Sequence, residues 1–518
     1  MIKFNLKYLR NNILIIIFGA ISSFSLPPYN FFVINFLVFP AFFIFLIKMH
    51  ESKKSKLQFF KVGWLFGFGY FLSNLYWISF SLNFDENFKF LIPLTILFIP
   101  AFLSLFYGFA IFVFSFFISD KKLISSILSF SLFISVFEFI RGYIFSGFPW
   151  NLIAYSFSNQ LEFIQISSLI GIYSFNLILI TFFTVPSILI LKKNRKQIYV
   201  LFFFILLGIT FLFYGNNKIN NFDKIETKKN NYKIVLVSSQ IPLNRFYENI
   251  NEEKILDELI RLSKPKINQK TLFIWPEGIL PNLDANSINK YKYKFNNNFG
   301  DNHKILLGIN KTEIIDGKEK YYNSMIVIDK HTNIESIYKK NKLVPFGEFL
   351  PFEKTLKKFG LKSLTNNYNS YTKGRDRKII TIFNSLDYIN LLPLICYEII
   401  YSGYLSELND FDYIVNISED GWFGDSIGPY QHFAHTIFRS IESGKYTLRS
   451  TNNGISAIVN PLGKVLNQIP IGFKGSIVLD TSKKTTDTLF SRLGNKMFII
   501  VIFIYIFLIF SFNKLKNE

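Results

Sequence analysis

The chain has 518 residues, half of them hydrophobic, with 64 Phe, a single Cys and a formal net charge of +21. A lone thiol excludes an intramolecular disulfide, and five histidines with no second cysteine give no support to a metal centre. Mean hydropathy of +0.27 is high for a soluble domain of this length, and the apolar residues crowd before Gly215 and after Leu493.

Seven apolar segments precede Gly215, at about 11–26, 30–47, 59–80, 90–118, 123–140, 166–191 and 198–214, and an eighth runs over about 497–512. Each approaches the ~20 residues needed to cross a ~30 Å hydrocarbon core, so about eight transmembrane helices are expected. The fourth carries Pro93 and Pro100 and is expected to kink or tilt. Lys3, Lys7 and Arg10 precede the first segment, but Pro27-Pro28-Tyr29 follows where a cleavable leader needs small residues. Glu138 and Arg141, three apart near a span end, are expected to pair with each other.

Cationic clusters fall at every second connection: the N-terminus, Lys48 to Lys56, Lys121-Lys122, Lys192 to Lys196, and Lys514 with Lys516. The alternate connections, Asn83 to Glu86 and Gly142 to Gln165, are acidic or nearly neutral. The positive-inside rule therefore puts both termini in the cytoplasm and the domain after the seventh span outside it. Read this way, much of the positive charge faces anionic headgroups, and nucleic-acid binding is a poor explanation for it.

The expected division is a membrane domain over 1–215, an α/β domain over 216–493 and a C-terminal span with its tail over 494–518. Short β-rich runs recur in the middle part at Tyr232–Ser238, Thr271–Trp275, Lys304–Gly308, Ser324–Ile328, Ile379–Phe383, Ile389–Ile395, Tyr413–Ile417, Gly454–Val459 and Gly475–Val478. Helical stretches intervene at about Asn251–Leu262 and Gln431–Tyr446, which predicts a layered α/β sandwich.

Three polar residues stand at the ends of such runs. Glu277 follows Leu272-Phe273-Ile274-Trp275-Pro276, Lys340 opens Lys340-Asn341-Lys342-Leu343-Val344-Pro345-Phe346-Gly347-Glu348, and Cys396 ends its own apolar run. By residue type the set suffices for acyl transfer: a thiol nucleophile, a carboxylate base to take its proton, and an ammonium to stabilise an oxyanion. Each also fits a plainer role, as a buried strand cysteine, a helix-capping acid and a solvated lysine, and spacing alone does not bring them together.

The order Trp-Pro-Glu, Lys-Asn-x-Leu-Val-Pro-Phe-Gly-Glu and Ile-Cys-Tyr-Glu resembles the carbon–nitrogen hydrolase (nitrilase) superfamily. With the flanking spans it more narrowly resembles the bacterial apolipoprotein N-acyltransferase family. Further matching fragments are Glu138-x-x-Arg141-Gly142, Gly147-Phe148-Pro149-Trp150, Tyr321-Tyr322-Asn323, Gly421-Trp422-Phe423-Gly424, Ser426 to Phe433 and Leu448 to Gly454. The resemblance implies a nitrilase-like α-β-β-α sandwich with a Glu277-Lys340-Cys396 triad. It also implies supporting roles for Glu348, Tyr397 and Glu398, and substrate contacts from Phe148, Trp150, Arg245 and Phe246. The implied reaction needs no cofactor or metal. It passes an acyl chain from a phospholipid's sn-1 position, through a cysteine thioester, to the α-amine of diacylglyceryl-cysteine on an apolipoprotein, at the periplasmic face of the inner membrane. A membrane-tethered amidase or nitrilase, which would pass the acyl group to water, is the alternative. The chain departs from the family's usual residues at Lys342, Glu419 and Phe246. Phe148, Trp150 and Tyr155 are expected at the membrane–water interface.

Overall fold

The computed structural model describes residues 6–84, 86–191, 198–248, 251–356, 358, 370–384, 387–404, 408 and 410–514. Of the orientation signal, Lys3, Asp85, Lys192, Lys193, Arg195, Lys196 and Lys516 lie outside the described residues.

Apolar runs can satisfy their backbone in lipid only as helices or closed barrels. The seven segments here fold as α1 (Leu6–Ser23), α2 (Asn35–Glu51), α3 (Lys56–Leu75), α4 (Ile92–Phe114), α5 (Leu123–Arg141), α6 (Ser167–Thr184) and α7 (Ile198–Asp223). Pro93 sits in the first turn of α4, where no N–H is missed, so it starts the helix; Pro100 lies inside it. Six helical stretches are long and apolar enough to cross a membrane, at 32–51, 88–114, 123–141, 167–191, 198–223 and 496–514. The chain is therefore a multi-pass membrane protein. Helices α1 and α3 fall short of that measure and pack on each other through glycine. A Cβ added at Gly19 would stand 2.0 Å from the Phe66 carbonyl oxygen, and one at Gly69 1.9 Å from that of Ile16. Glu138 and Arg141 do not pair as expected. Both are buried, but Glu138 accepts from Tyr107 Oη (2.7 Å) and from Asn176, while Arg141 donates to the Phe148 carbonyl.

The following domain carries two sheets. In chain order the strands are β1 (Thr227–Ser238), β2 (Thr271–Ile274), β3 (Leu280–Asp284), β4 (His303–Ile315), β5 (Lys318–Ile328), β6 (Ile334–Lys339), β7 (Ile380–Asn384), β8 (Asp387–Ile395), β9 (Tyr413–Glu419), β10 (Tyr446–Asn452), β11 (Ser456–Val459), β12 (Val465–Ile469) and β13 (Gly475–Lys483). The first sheet runs β13-β1-β2-β4-β5-β6 with β3 beside β4, and the second runs β12-β11-β10-β9-β8-β7. At the centre of each, β1-β2-β4 and β8-β9-β10 are parallel.

The period of two along each strand sorts the side chains into layers. Ile234 and Leu236 of β1 meet Leu391 and Ile395 of β8 in the core between the sheets. Val235 and Val237 turn outward beneath α8 (Glu252–Ser263). Leu392 and Leu394 turn the other way, into a core shared with Phe433, Ile437, Phe438 and Ile441 of α9 (Gly428–Ser443) and with the membrane helices. The result is the α-β-β-α sandwich, with its α9 layer between the second sheet and the membrane domain. A last helix, α10 (Lys496–Lys514), packs on α5 and α6.

Candidate active site

Glu277, Lys340 and Cys396 each stand just beyond a strand end: β2 stops at Ile274, β6 at Lys339 and β8 at Ile395. Strand ends on a rigid sheet hold loop side chains in register, and the structure brings the acid and the base together. Lys340 Nζ lies 2.9 Å from Glu348 Oε1 and 3.3 Å from Glu277 Oε1, with all three side chains buried. Asn323 of β5 bridges the two acids, donating to Glu277 Oε1 (2.7 Å) and Glu348 Oε1 (2.8 Å). The backbone N–H of Glu419 holds the other oxygen of Glu277 at 3.0 Å.

Cys396 begins a tight turn with φ of +49°, a left-handed conformation that costs a non-glycine residue about 1–3 kcal/mol. Glu398, two residues on, closes that turn. Its carboxylate accepts from Ile395 N (2.9 Å) on one oxygen, and from Tyr338 Oη (2.8 Å), Asn341 N (2.8 Å) and Lys342 N (3.0 Å) on the other. One buried acid thus ties the cysteine turn to the lysine loop. Tyr397 Oη donates to the Gly147 carbonyl at 2.8 Å and Tyr401 Oη to that of Ser146 at 2.8 Å, which fastens the same turn to the loop after α5.

Electrostatics keep the resting thiol protonated. Burial pushes Cys396 well above its ordinary value, the Glu277 carboxylate pushes it further, and Lys340 only partly offsets them. Burial works against the Lys340 ammonium, but Glu277 and Glu348 outweigh it and hold Lys340 well above its ordinary value. A thiol in this setting could attack only if its proton were removed as it did so, beside an ammonium that stays charged.

The four residues expected to contact substrate separate. Phe148 and Phe246 are partly exposed, whereas Trp150 and Arg245 are buried. Trp150 Nε1 donates to Gln431 Oε1 (2.9 Å), and Tyr155 Oη meets His435 Nδ1 at 2.6 Å, so both rings lie between the membrane helices and the α9 layer. Arg245 donates to the Gly278 carbonyl (2.9 Å) and pairs with Glu419, while the Phe246 ring lies 4.5 Å from its guanidinium carbon. Two of the three departures, Glu419 and Phe246, therefore meet on one guanidinium just behind the Glu277 turn.

The sequence alone assigns no role to Asn323, nor to the buried set of Asp420, His432 and Arg449. Asp420 accepts from Arg449 Nη2 (2.8 Å) and Ser418 Oγ (2.7 Å) and lies 3.0 Å from His432 Nδ1. A signal for Asn323 exists: it interrupts the inward row Asn323, Met325, Val327 with a polar group that has to find a partner. Among the described residues no group of His, Cys, Asp or Glu could hold a metal.

A membrane-embedded carbon–nitrogen hydrolase fold with an acid–lysine pair at a cysteine turn defines a class of acyl-handling enzymes. Family models match in the same two parts: the apolipoprotein N-acyltransferase N-terminal domain over residues 18–185 and the carbon–nitrogen hydrolase domain over 292–487. An apolipoprotein N-acyltransferase of Brucella suis is 31% identical over 476 residues, covering 89% of this chain and 87% of its own. That of Rickettsia prowazekii is 33% identical over 506 residues, covering 96% and 97%. That of Rhodopseudomonas palustris is 28% identical over 514 residues, covering 94% and 92%. The chain belongs to the apolipoprotein N-acyltransferase family and is an acyltransferase.

Proposed function

We propose that this chain transfers a fatty acyl group from the sn-1 position of a phospholipid, through a thioester on Cys396, to the N-terminal α-amine of diacylglyceryl-cysteine on apolipoproteins. The observation that supports this most is a buried Lys340 held between Glu277 and Glu348, beside a cysteine turn hydrogen-bonded to the membrane domain. A water-soluble substrate needs no such mooring, whereas two bilayer-anchored substrates need the nucleophile at a fixed height.

In the first step the Cys396 sulfur bonds to the ester carbon while its proton passes to Glu277, and the Lys340 ammonium stabilises the oxyanion. The ester C–O bond then breaks, the proton passes to the departing oxygen, and a lysophospholipid leaves a thioester behind. In the second step the acceptor amine bonds to the same carbon, Glu277 takes its proton, the C–S bond breaks and Cys396 is reprotonated. An amide is far more stable than a thioester, so the second step draws the first forward without a cofactor. Glu348 steadies Lys340, Glu398 sets the turn and Tyr397 anchors it. Phe148 and Phe246 are the residues placed to meet the lipid, with Trp150 and Arg245 supporting them from behind.

The domains divide as 1–215, 216–493 and 494–518, with the middle one periplasmic and both termini cytoplasmic. Counting α1 and α3 as spans or not leaves an odd number before the catalytic domain, so its side of the membrane is the same either way. Intact-mass measurement of the purified protein with phospholipid tests the chemistry. An added acyl mass, removed by neutral hydroxylamine and handed to a diacylglyceryl-cysteine peptide as an amide, is the expected result. Release of free fatty acid to water would favour the amidase-like alternative, and absence of any acyl adduct would overturn the thioester.

A further inference from the structure

The loop that carries Lys340 is zipped to the segment running into β7. Gly374 N donates to the Lys340 carbonyl at 2.8 Å, and Asn341 Nδ2 donates to the Gly374 carbonyl at 2.8 Å. This brings Lys373 and Arg377 up against Lys342. The Lys342 ammonium lies 5.0 Å from the centre of the Tyr401 ring and 5.8 Å from that of Tyr404, and the Arg377 guanidinium stacks 3.5 Å from the same Tyr404 ring. Tyr404 is itself fixed by donating to Asn341 Oδ1 at 2.8 Å. Two cations thus lie over a tyrosine platform immediately beside the Cys396 turn, with the exposed Lys373 close enough for its charge to act on Lys342.

Lys342 makes no ion pair with a carboxylate among the described residues. Glu398, whose charge acts on Lys342, already accepts on both oxygens from the backbone of Ile395, Asn341 and Lys342 and from the Tyr338 hydroxyl. Burial, then Lys373 and Arg377, push Lys342 below the ordinary lysine value, and the Glu398 carboxylate only partly offsets them. A half-buried ammonium facing two like charges is an unfavourable arrangement that a bound anion would relieve.

The proposed chemistry brings such an anion to this place. A glycerophospholipid whose sn-1 carbonyl is at Cys396 carries its phosphate only a glycerol's length away. Resting on that donor reading, we propose that Lys342, Lys373 and Arg377 form a binding site for the phosphodiester of the donor's headgroup, with Tyr401 and Tyr404 as its floor. The site selects for phosphate-bearing lipids and leaves the rest of the headgroup to solvent.

The test compares acyl-enzyme formation by the full-length protein from phosphatidylethanolamine and from diacylglycerol with the same chains, by intact mass over a range of donor concentration. Lys342→Gln is expected to raise the half-saturating concentration of the phospholipid several-fold with little change in maximal rate. The diacylglycerol reaction should not move, and Lys342→Arg should restore the phospholipid value. An unchanged half-saturation, or an equal loss with both donors, would overturn the site. Inorganic phosphate is the control for a free anion. If it competed with phospholipid through Lys342 while Lys342→Gln left phospholipid half-saturation unchanged, the cations would belong to free phosphate and the headgroup assignment would fall. Should Lys342→Gln not fold, Lys373→Gln at an exposed position carries the same comparison. Failure of every donor to acylate Cys396 sinks the donor reading itself; acylation that ignores Lys342 sinks only this site.

Discussion

Helices α8 and α9 occupy equivalent outer layers of the sandwich, and each carries one arginine–glutamate pair three residues apart. On α8, Arg261 Nη2 lies 2.7 Å from Glu258 Oε1, with 62% and 26% of the side chains exposed. On α9, Arg439 Nε lies 2.7 Å from Glu442 Oε2, with 0% and 3% exposed. The bond length and spacing are the same, but one pair faces water and the other is sealed against the membrane domain. Helix α9 is amphipathic, with a polar face of the kind that meets solvent on a surface helix, yet its residues are buried apart from Tyr430. Its polar groups are taken up by partners across the interface: Gln431 by Trp150 and Asn74, His435 by Tyr155, and Glu442 by the Ile172 N–H. A composition that signals solvent can therefore signal a second domain instead.

The proposed chemistry also divides between the two sheets, and variants on each side separate their shares. On the proposed route the second sheet carries the nucleophile, so Cys396→Ser should abolish lipoprotein N-acylation while the protein still folds, because a hydroxyl beside Glu277 is far harder to deprotonate than a thiol. Near-normal transfer by this variant, followed by mass spectrometry of a lipopeptide acceptor, would defeat the thioester route. On the same proposal the first sheet carries the stabilising charge, so Lys340→Ala should slow acyl-enzyme formation by about 10²–10³-fold without eliminating it. A Lys340→Ala protein that acylates at the parent rate would remove the oxyanion role.

The layered fold was legible because β1, β2, β8 and β9 are strongly apolar and alternate or run continuously. Missed were β3, β6, β10 and β12. Strand β10 (Tyr-Thr-Leu-Arg-Ser-Thr-Asn) is fully buried yet mostly polar, since Arg449 and Asn452 are spent on Asn416, Asp420 and Glu419. The expected helix running to Tyr446 stops at Ser443, where Gly444 takes φ of +71° and ends it. Glu277, Lys340 and Cys396 were visible as strand-end residues, but their meeting was not, because it depends on two sheets folding face to face. The pairing of Glu138 with Arg141 failed for a related reason: buried groups take the nearest well-aligned partner, and Tyr107, Asn176 and the Phe148 carbonyl come from other segments.

The buried helix should also dominate stability. Arg439→Ala would leave the buried Glu442 charge without its cation, held only by the Ile172 N–H and the Ser402 hydroxyl, and is expected to cost about 3–5 kcal/mol in detergent-solubilised unfolding. A loss below about 1 kcal/mol would mean that water reaches the pair.

A smaller effect comes from pH. Burial, with nearby Arg449, holds His432 below the ordinary histidine value, and burial with Arg439, His432 and Arg449 holds His435 well below it; Asp420 pulls His432 the other way. The unfolded chain then binds protons first as pH falls through about 6.5, so stability drops on going from pH 7.5 to 5.5, by at most about 1.4 kcal/mol per pH unit for each histidine. Glu398, Glu419 and Glu442, raised by burial, act in the opposite sense. The assignment therefore rests on a difference: His435→Gln should flatten the slope of unfolding temperature against pH. A slope identical to the parent's would place the pH dependence elsewhere.

The smallest expected effect is the sharpest control on the comparison. Arg261→Ala removes the α8 partner of Glu258, but Lys474 lies 2.8 Å from the same oxygen and keeps that carboxylate paired. Glu258 is held at about 2, first by the Arg261 hydrogen bond and then by that of Lys474, so half of the arrangement survives the substitution. Solvent screens what is lost, and the freed side chain of an exposed arginine regains rotamer entropy. Unfolding temperature and acyl transfer should both stay within experimental scatter, and added salt should not separate the variant from its parent. If Arg261→Ala instead destabilised the protein as much as Arg439→Ala, spacing rather than burial would govern these pairs. The contrast between the two helical layers would then carry no energetic meaning.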